Sequence, residues 1–278
     1  MNIVEAVLLG AVEGITEFLP VSSTGHLTIA EKLLGYHIED ADITAFTAII
    51  QSGAVLATVL FLRRDIARIV PAWLRGLASA RARDNPDYRF GWAVIIGSIP
   101  IGVVGLLFQD TIETTLRSLW FVAGALIVWS AVMAFADHAA TQTRHEDDVT
   151  WTDTLIIGVV QCLALIPGVS RSGATMSAGL LRDIDRVAVT RLSFFLSIPA
   201  LLGATALQVV EQYGDIATGV GWVNTIVATV VSFVVAYMSV VWLLRYVARH
   251  TFMIFIVYRL VIGVLLLVLL ATGVIAAQ

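Results

Sequence analysis

Two glutamates, Glu13 and Glu17, stand four residues apart in an otherwise apolar N-terminal stretch. At that spacing both carboxylates lie on one face of a helix, about one turn apart. Such a pair suits a hard divalent cation that also binds phosphate oxygens, or it suits general acid or base chemistry. The alternative is that one glutamate faces an aqueous mouth and the other caps a helix.

The glutamates are followed by three hydroxyl side chains, a glycine and a histidine: Ser22, Ser23, Thr24, Gly25 and His26. They lie where a second half-helix should begin, and one hydroxyl is expected to cap it. The free N–H groups of a helix start also bind anions. His26 could be an ordinary core histidine, but its place beside the hydroxyls favours proton transfer or an orienting role.

A second motif resembles the first: Ser170, Arg171, Ser172 and Gly173 follow a proline and glycine in the segment PGVSRSG. An arginine at membrane depth needs an anionic partner. Its planar fork matches phosphate oxygens. A structural salt bridge to one of the two glutamates is the alternative.

The two motifs belong to an internal repeat. A shift of 148 residues places Gly10 on Gly158 and the first hydroxyl motif on the second. The same shift places Glu13 on Gln161 and Ser23 on Arg171, so the carboxylates come from one half and the guanidinium from the other. The sequence therefore predicts two halves, 1–140 and 150–278. Interrupted apolar segments at matching positions in two halves are typical of a binding site in a membrane protein.

The composition makes lipid the solvent. Of 278 residues 58% are hydrophobic and only 14% charged, and the mean hydropathy is +0.89. Soluble domains contain about 25% charged residues. The sequence has no basic run of the kind that binds nucleic acid, and it carries no indication of oligomeric state.

Five stretches are long enough to span the bilayer, and a sixth is apolar but is expected to be broken at Pro199. They are approximately 43–62, 91–109, 118–136, 192–211, 221–244 and 252–275. Residues 2–35 and 154–181 contain pieces too short or too polar to cross, so each is predicted to be a hairpin that enters the membrane and returns. The expected fold is an all-α integral membrane protein of two inverted-topology repeats, each a re-entrant helix hairpin plus three transmembrane helices.

Charge predicts the orientation. The loops 63–89, 137–152, 182–191 and 245–250 hold thirteen Lys and Arg residues. The opposite loops hold only Lys32 and Arg117, together with the acidic segment 211–215. The positive-inside rule makes the first set cytoplasmic and puts both termini outside. Each half has three spans, an odd number, so the halves must be inverted. Tyr258 and Arg259, near the cytoplasmic end of the last span, are expected to snorkel to the surface.

The segments EGITEFLPVSSTGH, PGVSRSGAT and LSFFLSIPALLGATAL resemble those of the undecaprenyl-diphosphate phosphatases of the bacterial bacitracin-resistance type. The resemblance covers essentially the whole chain. It implies a multi-pass enzyme of the bacterial inner membrane that converts a polyprenyl pyrophosphate lipid to the monophosphate and so recycles the carrier for peptidoglycan precursors. It also implies Mg²⁺ or Ca²⁺ as cofactor and an active site opening to the periplasmic side.

The functional residues of that family match positions of both motifs without a gap. They are Glu13, Glu17, Ser23, Thr24, His26, Ser170 and Arg171. We expect Glu17, Ser23, His26 and Arg171 to be catalytic. The phosphate-binding groups would be Ser22, Thr24, Gly25, Ser170, Arg171, Ser172 and Gly173, and the metal ligands Glu13 and Glu17.

The mechanism has open alternatives at this point. Ser23 is the expected nucleophile, with Glu17 or His26 as base, and an activated water is the rival nucleophile. A different class of function, a transporter or flippase of an anionic polyprenyl phosphate lipid, would also use an inverted repeat with broken helices.

Overall fold

A computed structural model describes residues 1–37, 40–108 and 118–275, without the side chains of residues 209 and 211–218. The α-helices of these ranges are α1 (Ile3–Thr16), α2 (Ser23–Leu33), α3 (Ala41–Phe61), α4 (Arg63–Ala78), α5 (Pro86–Leu107), α6 (Leu119–Ala139), α7 (Trp151–Gln161), α8 (Arg171–Leu180), α9 (Arg186–Thr218), α10 (Trp222–Val247) and α11 (Met253–Ala271). No strand occurs in the described ranges.

Six of these helices, α3, α5, α6, α9, α10 and α11, are long and apolar enough to cross a membrane. The six predicted spans are therefore confirmed as helices. The expected break at Pro199 is wrong, because α9 continues through it. Proline is tolerated inside a membrane helix when neighbouring helices hold the backbone in place, and α9 packs against both α3 and α5.

The two expected hairpins are pairs of short helices. In the first, α1 and α2 have 14 and 11 residues. In the second, α7 and α8 have 11 and 10 residues. A helix rises about 1.5 Å per residue, and the hydrocarbon layer is about 30 Å thick. No arm of either hairpin is long enough to cross it.

The hairpins pack reciprocally on helices of the other half. Helix α1 lies along α10, α7 lies along α5, and α3 and α6 pack on α9 and α11. The tight contacts are made by Gly10, whose α-carbon faces the backbone of Ala228, and by Gly158, which faces the backbone of Gly97; a Cβ at either place would collide with a carbonyl. This exchange is what an inverted repeat requires, and the repeat itself stays a prediction.

The arginine-rich loops meet at one end of the bundle. Arg144 and Arg182 both bind the fully buried carboxylate of Asp153. Arg191 bridges Asp65 and Glu146 at 3.0 and 2.6 Å. At the same end, a hydrogen bond to Asp185 raises the pKa of the exposed His145, so this link is favoured at lower pH. These contacts confirm that the loops 63–89, 137–152 and 182–191 share one face.

Asp137 extends the network, because it pairs with Arg186 and also accepts the N–H of Phe252. The opposite end of the bundle brings the first residue, through its carbonyl, to the side chain of Asn224. Arg117 lies outside the described residues, as do the side chains of 211–215.

The charge asymmetry generates a prediction about orientation. In a Cys162→Ser background, Ala80→Cys on the arginine-rich face should react with an impermeant thiol reagent only when the cytoplasmic side is exposed. Ala41→Cys, which is also exposed but lies at the opposite end, should react from outside. Labelling of the first variant from outside alone would reverse the assignment.

Candidate active site

The first break lies between α1 and α2. Helix α1 ends at Thr16, Glu17 follows as its C-terminal cap, and Ser22 caps α2 with φ of 78°. A non-glycine residue at such an angle is uncommon and must be held in place by its surroundings. The Ser22 hydroxyl accepts the N–H of Gly25 at 3.3 Å.

The second break has the same construction. Ser170 caps α8 with φ of 77°, and its hydroxyl accepts the N–H of Gly173 at 3.1 Å. Gly25 and Gly173 thus lie at the helix starts as predicted, but their N–H groups are already occupied by the caps. Anion binding through the backbone must use the N–H groups one or two residues earlier.

The two breaks touch each other. The N–H of Gly168 donates to the Ser22 hydroxyl at 3.1 Å, and the Ser172 hydroxyl donates to the carbonyl of Leu19 at 2.9 Å. The hydroxyls of Ser170 and Ser172 are themselves 3.0 Å apart. Residues separated by about half the chain therefore form one polar cluster in the middle of the bundle.

Glu17 is the centre of that cluster. One carboxylate oxygen accepts the hydroxyl of Ser23 at 2.5 Å, and the other accepts a terminal nitrogen of Arg171 at 2.9 Å. Both expected catalytic partners thus bind the same glutamate. The buried Nε of Arg171 has no hydrogen-bond partner in the described part of the chain, so the guanidinium keeps a donor for another anion.

Glu13 is fully buried one turn before Glu17. Neither of its oxygens has a hydrogen-bond partner among the described residues, although Glu17 and Arg171 are among its charged neighbours. A free buried carboxylate fits a cation. The described residues hold no group of three or more His, Cys, Asp or Glu side chains that could hold a metal, so the substrate or water would have to complete the ligand shell. Gln161, its repeat partner, is equally buried and unpartnered.

His26 lies near the start of α2, four residues after its cap Ser22. Its Nδ1 is 2.7 Å from the Ser22 carbonyl, and its Nε2 is 2.8 Å from the hydroxyl of Tyr258. No hydrogen bond joins the His26 ring to the Ser23 hydroxyl, which donates to Glu17 instead. The arrangement favours Glu17 as the base and gives His26 an orienting position at the start of α2.

A cavity of about 680 Å³ opens beside the two breaks. Its polar wall is formed by Glu17, Ser22, Ser23, Thr24, Gln51, Ser98, Ser170, Arg171 and Gln208. The remaining wall is apolar and comes mainly from α5 and α9, with Gly102, Gly105 and Gly203 leaving it wide. The volume is typical of a small-molecule site.

Arg259 lies elsewhere than its sequence predicts. The expectation that it snorkels is wrong, since it is fully buried and donates hydrogen bonds to a carbonyl of each break. The signal was its position more than one helical turn inside α11, between apolar residues, where the side chain cannot easily reach the membrane surface.

Comparison with known proteins was consistent over the whole chain. The family described as bacitracin resistance protein BacA matches residues 6–265. The undecaprenyl-diphosphatase 3 of Frankia casuarinae is 69% identical over 277 residues, covering 100% of both chains. The undecaprenyl-diphosphatase of Cutibacterium acnes is 54% identical and that of Acidothermus cellulolyticus 50% identical, again over 100% of both chains.

The Arg171–Glu17 pair generates a prediction, because it fits both a phosphate clamp and a structural salt bridge. If Arg171 is a clamp, both Arg171→Lys and Arg171→Ala should stay folded and lose about 10²–10³ in turnover, since an ammonium lacks the planar fork. Detergent melting and phosphate release would be measured together. An active Lys variant beside an unfolded Ala variant would show that the pair is structural.

Proposed function

The chain belongs to the bacitracin resistance protein BacA family, and we propose on that premise that it is an undecaprenyl-diphosphate phosphatase. It removes the terminal phosphate of the lipid pyrophosphate, which recycles the carrier for peptidoglycan synthesis and gives bacitracin resistance. One observation carries the proposal: a hydroxyl, a carboxylate and a guanidinium from two halves of the chain meet at a cavity with one polar and one apolar wall.

The geometry supports Ser23 as nucleophile. Its hydroxyl already donates to Glu17, so the carboxylate can take the proton while the oxygen attacks the terminal phosphorus. The bond from that phosphorus to the bridging oxygen breaks, and polyprenyl phosphate leaves. Glu17 passes its proton to the leaving polyprenyl phosphate, and water then hydrolyses the phosphoserine to inorganic phosphate, with Glu17 taking a proton from the water and returning it to the Ser23 oxygen. Direct attack by a water held at the same carboxylate is the rival route.

Charge stabilisation comes from the groups around the reacting phosphate. Arg171 offers its free Nε as well as the nitrogen now bound to Glu17. The starts of α2 and α8 add the positive ends of two helix dipoles. Phosphoryl transfer depends mainly on such positioning and electrostatics.

A divalent cation, Mg²⁺ or Ca²⁺, fits the free carboxylate of Glu13, with Glu17 as the second protein ligand. When bound, it would neutralise charge on the pyrophosphate. Carboxylate and phosphate oxygens are the ligands that both ions prefer. Glu13 would be the main ligand of the cation. Glu17 would be a second ligand while it still accepts the hydrogen bond from Ser23.

The apolar wall of the cavity suits the first isoprene units of the substrate. The cavity lies along the second half of α5 and of α9, away from the arginine-rich loops. With those loops in the cytoplasm, the enzyme would sit in the bacterial inner membrane, act at the periplasmic side and have both termini outside. A flippase function rests only on the repeat, and a detergent assay separates it from hydrolysis.

One prediction of this function concerns the two glutamates. Purified protein in detergent should release phosphate from undecaprenyl diphosphate, and Glu17→Gln should lose about 10²–10⁴ in rate because it removes the base at constant volume. Glu13→Gln should raise the cation concentration needed for half-maximal rate. Absence of phosphate release by the unaltered chain would refute the function, and an unchanged metal dependence would place the cation elsewhere.

Another prediction of this function concerns the apolar wall of the cavity. A Cβ at Gly203 would meet no atom within 4 Å, so Gly203→Leu should fold normally yet fill the space beside the breaks. Hydrolysis of the long lipid substrate should fall much more than hydrolysis of a pyrophosphate with a single isoprene unit. Gly124→Leu is the matched control, since Gly124 has equal space on α6 but does not line the cavity. Equal losses for both substrates would contradict a tail site here.

A further inference from the structure

Arg259 is the largest side chain that the described structure buries completely. Its Nη1 donates to the carbonyl of Pro20 at 3.2 Å and its Nη2 to the carbonyl of Gly168 at 2.8 Å. The Nε donates to the Ser130 hydroxyl at 3.3 Å. No carboxylate of the described residues forms an ion pair with it.

The two carbonyls are equivalent positions of the repeat. Pro20 lies two residues before the cap Ser22, Gly168 lies two residues before the cap Ser170, and the shift of 148 places one on the other. One guanidinium therefore holds the same carbonyl of both breaks, with one arm of its fork on each.

Burying the charged guanidinium of Arg259 without a carboxylate partner costs free energy. A guanidinium in a low-dielectric interior loses its hydration, and neutral carbonyls replace only part of it. Packing alone would need no charge. The fork does supply two donors at a fixed separation on one rigid plane, which is what joining two backbone segments requires.

We propose that Arg259 is a positioning residue that sets the distance between the anion-binding starts of α2 and α8, so that the two phosphates of one pyrophosphate engage both. This inference rests on the proposed function for its substrate. Arg259 contacts both breaks through their carbonyls but does not line the cavity.

The test is Arg259→Lys, which keeps the charge but can reach only one carbonyl well. Turnover of undecaprenyl diphosphate should fall about 10²-fold, the size of effect expected for a misplacement of about 1 Å. The control is Arg191→Lys, because Arg191 also joins two segments, through its ion pairs with Asp65 and Glu146, but lies on the arginine-rich face. It should keep normal turnover.

A binding readout separates spacing from general damage. Methylenediphosphonate carries two linked phosphonates, and inorganic phosphate carries one group. Simultaneous contact with two sites strengthens binding, and that gain disappears when the geometry forbids it. Calorimetry on the solubilised protein should therefore show that Arg259→Lys loses about tenfold or more of the preference for diphosphonate over phosphate.

Unchanged turnover with an unchanged preference would overturn the proposal, as would an equal loss of both affinities, which would indicate a simple charge effect. If Arg259→Lys does not fold, Ser130→Ala decides. It removes the hydrogen bond that fixes the plane of the guanidinium, so both Nη groups are less well oriented towards the two carbonyls and the preference should again fall. A preference equal to that of the unaltered chain overturns the proposal. The calorimetry does not depend on turnover, so failure of the unaltered chain to hydrolyse the lipid would count against the proposed function alone.

Discussion

Peptide groups freed by a helix break cannot be left unpaired inside a bilayer, because no water is present to bind them. This chain has two such breaks, and each supplies partners for the other. Ser22 accepts an N–H of the second break, and Ser172 donates to a carbonyl of the first. Arg259 holds a carbonyl of each. The reciprocal packing of the hairpins follows from this requirement, since neither break is satisfied without the other half of the chain.

The same contact creates a site that neither half contains alone. The first half contributes Ser23 and Glu17, and the second contributes Arg171. At the position that corresponds to Glu13 the second half has Gln161, which is buried without a charge. Two similar scaffolds thus carry different side chains, so the hydroxyl and the carboxylate come from one half and the guanidinium that faces them comes from the other.

Much of this was predictable because polar residues in an apolar sequence are conspicuous. The spans, the hairpins and the residues around Glu17 follow from hydropathy, helix capping and the repeat. The hydrogen-bond partners of these side chains were harder to predict, because a sequence does not show which way a side chain turns. His26 was one of two expected bases for Ser23, but its Nε2 is hydrogen-bonded to the Tyr258 hydroxyl. The break predicted at Pro199 was wrong because local propensity favours a break there, whereas packing against α3 and α5 keeps α9 continuous. Arg259 was missed because its partners are carbonyls about 90 and 240 residues away.

Charge balance gives a physical reason for a cation. Near the breaks, the carboxylates of Glu13 and Glu17 are offset by the guanidinium groups of Arg171 and Arg259, so these four groups have no net positive charge available. A pyrophosphate adds at least two negative charges to a region with little water, where like charges repel strongly. Helix dipoles contribute only about half a charge each. A divalent ion beside Glu13 would restore neutrality, and it would allow Arg171 to turn from Glu17 to the phosphate without leaving the carboxylate uncompensated.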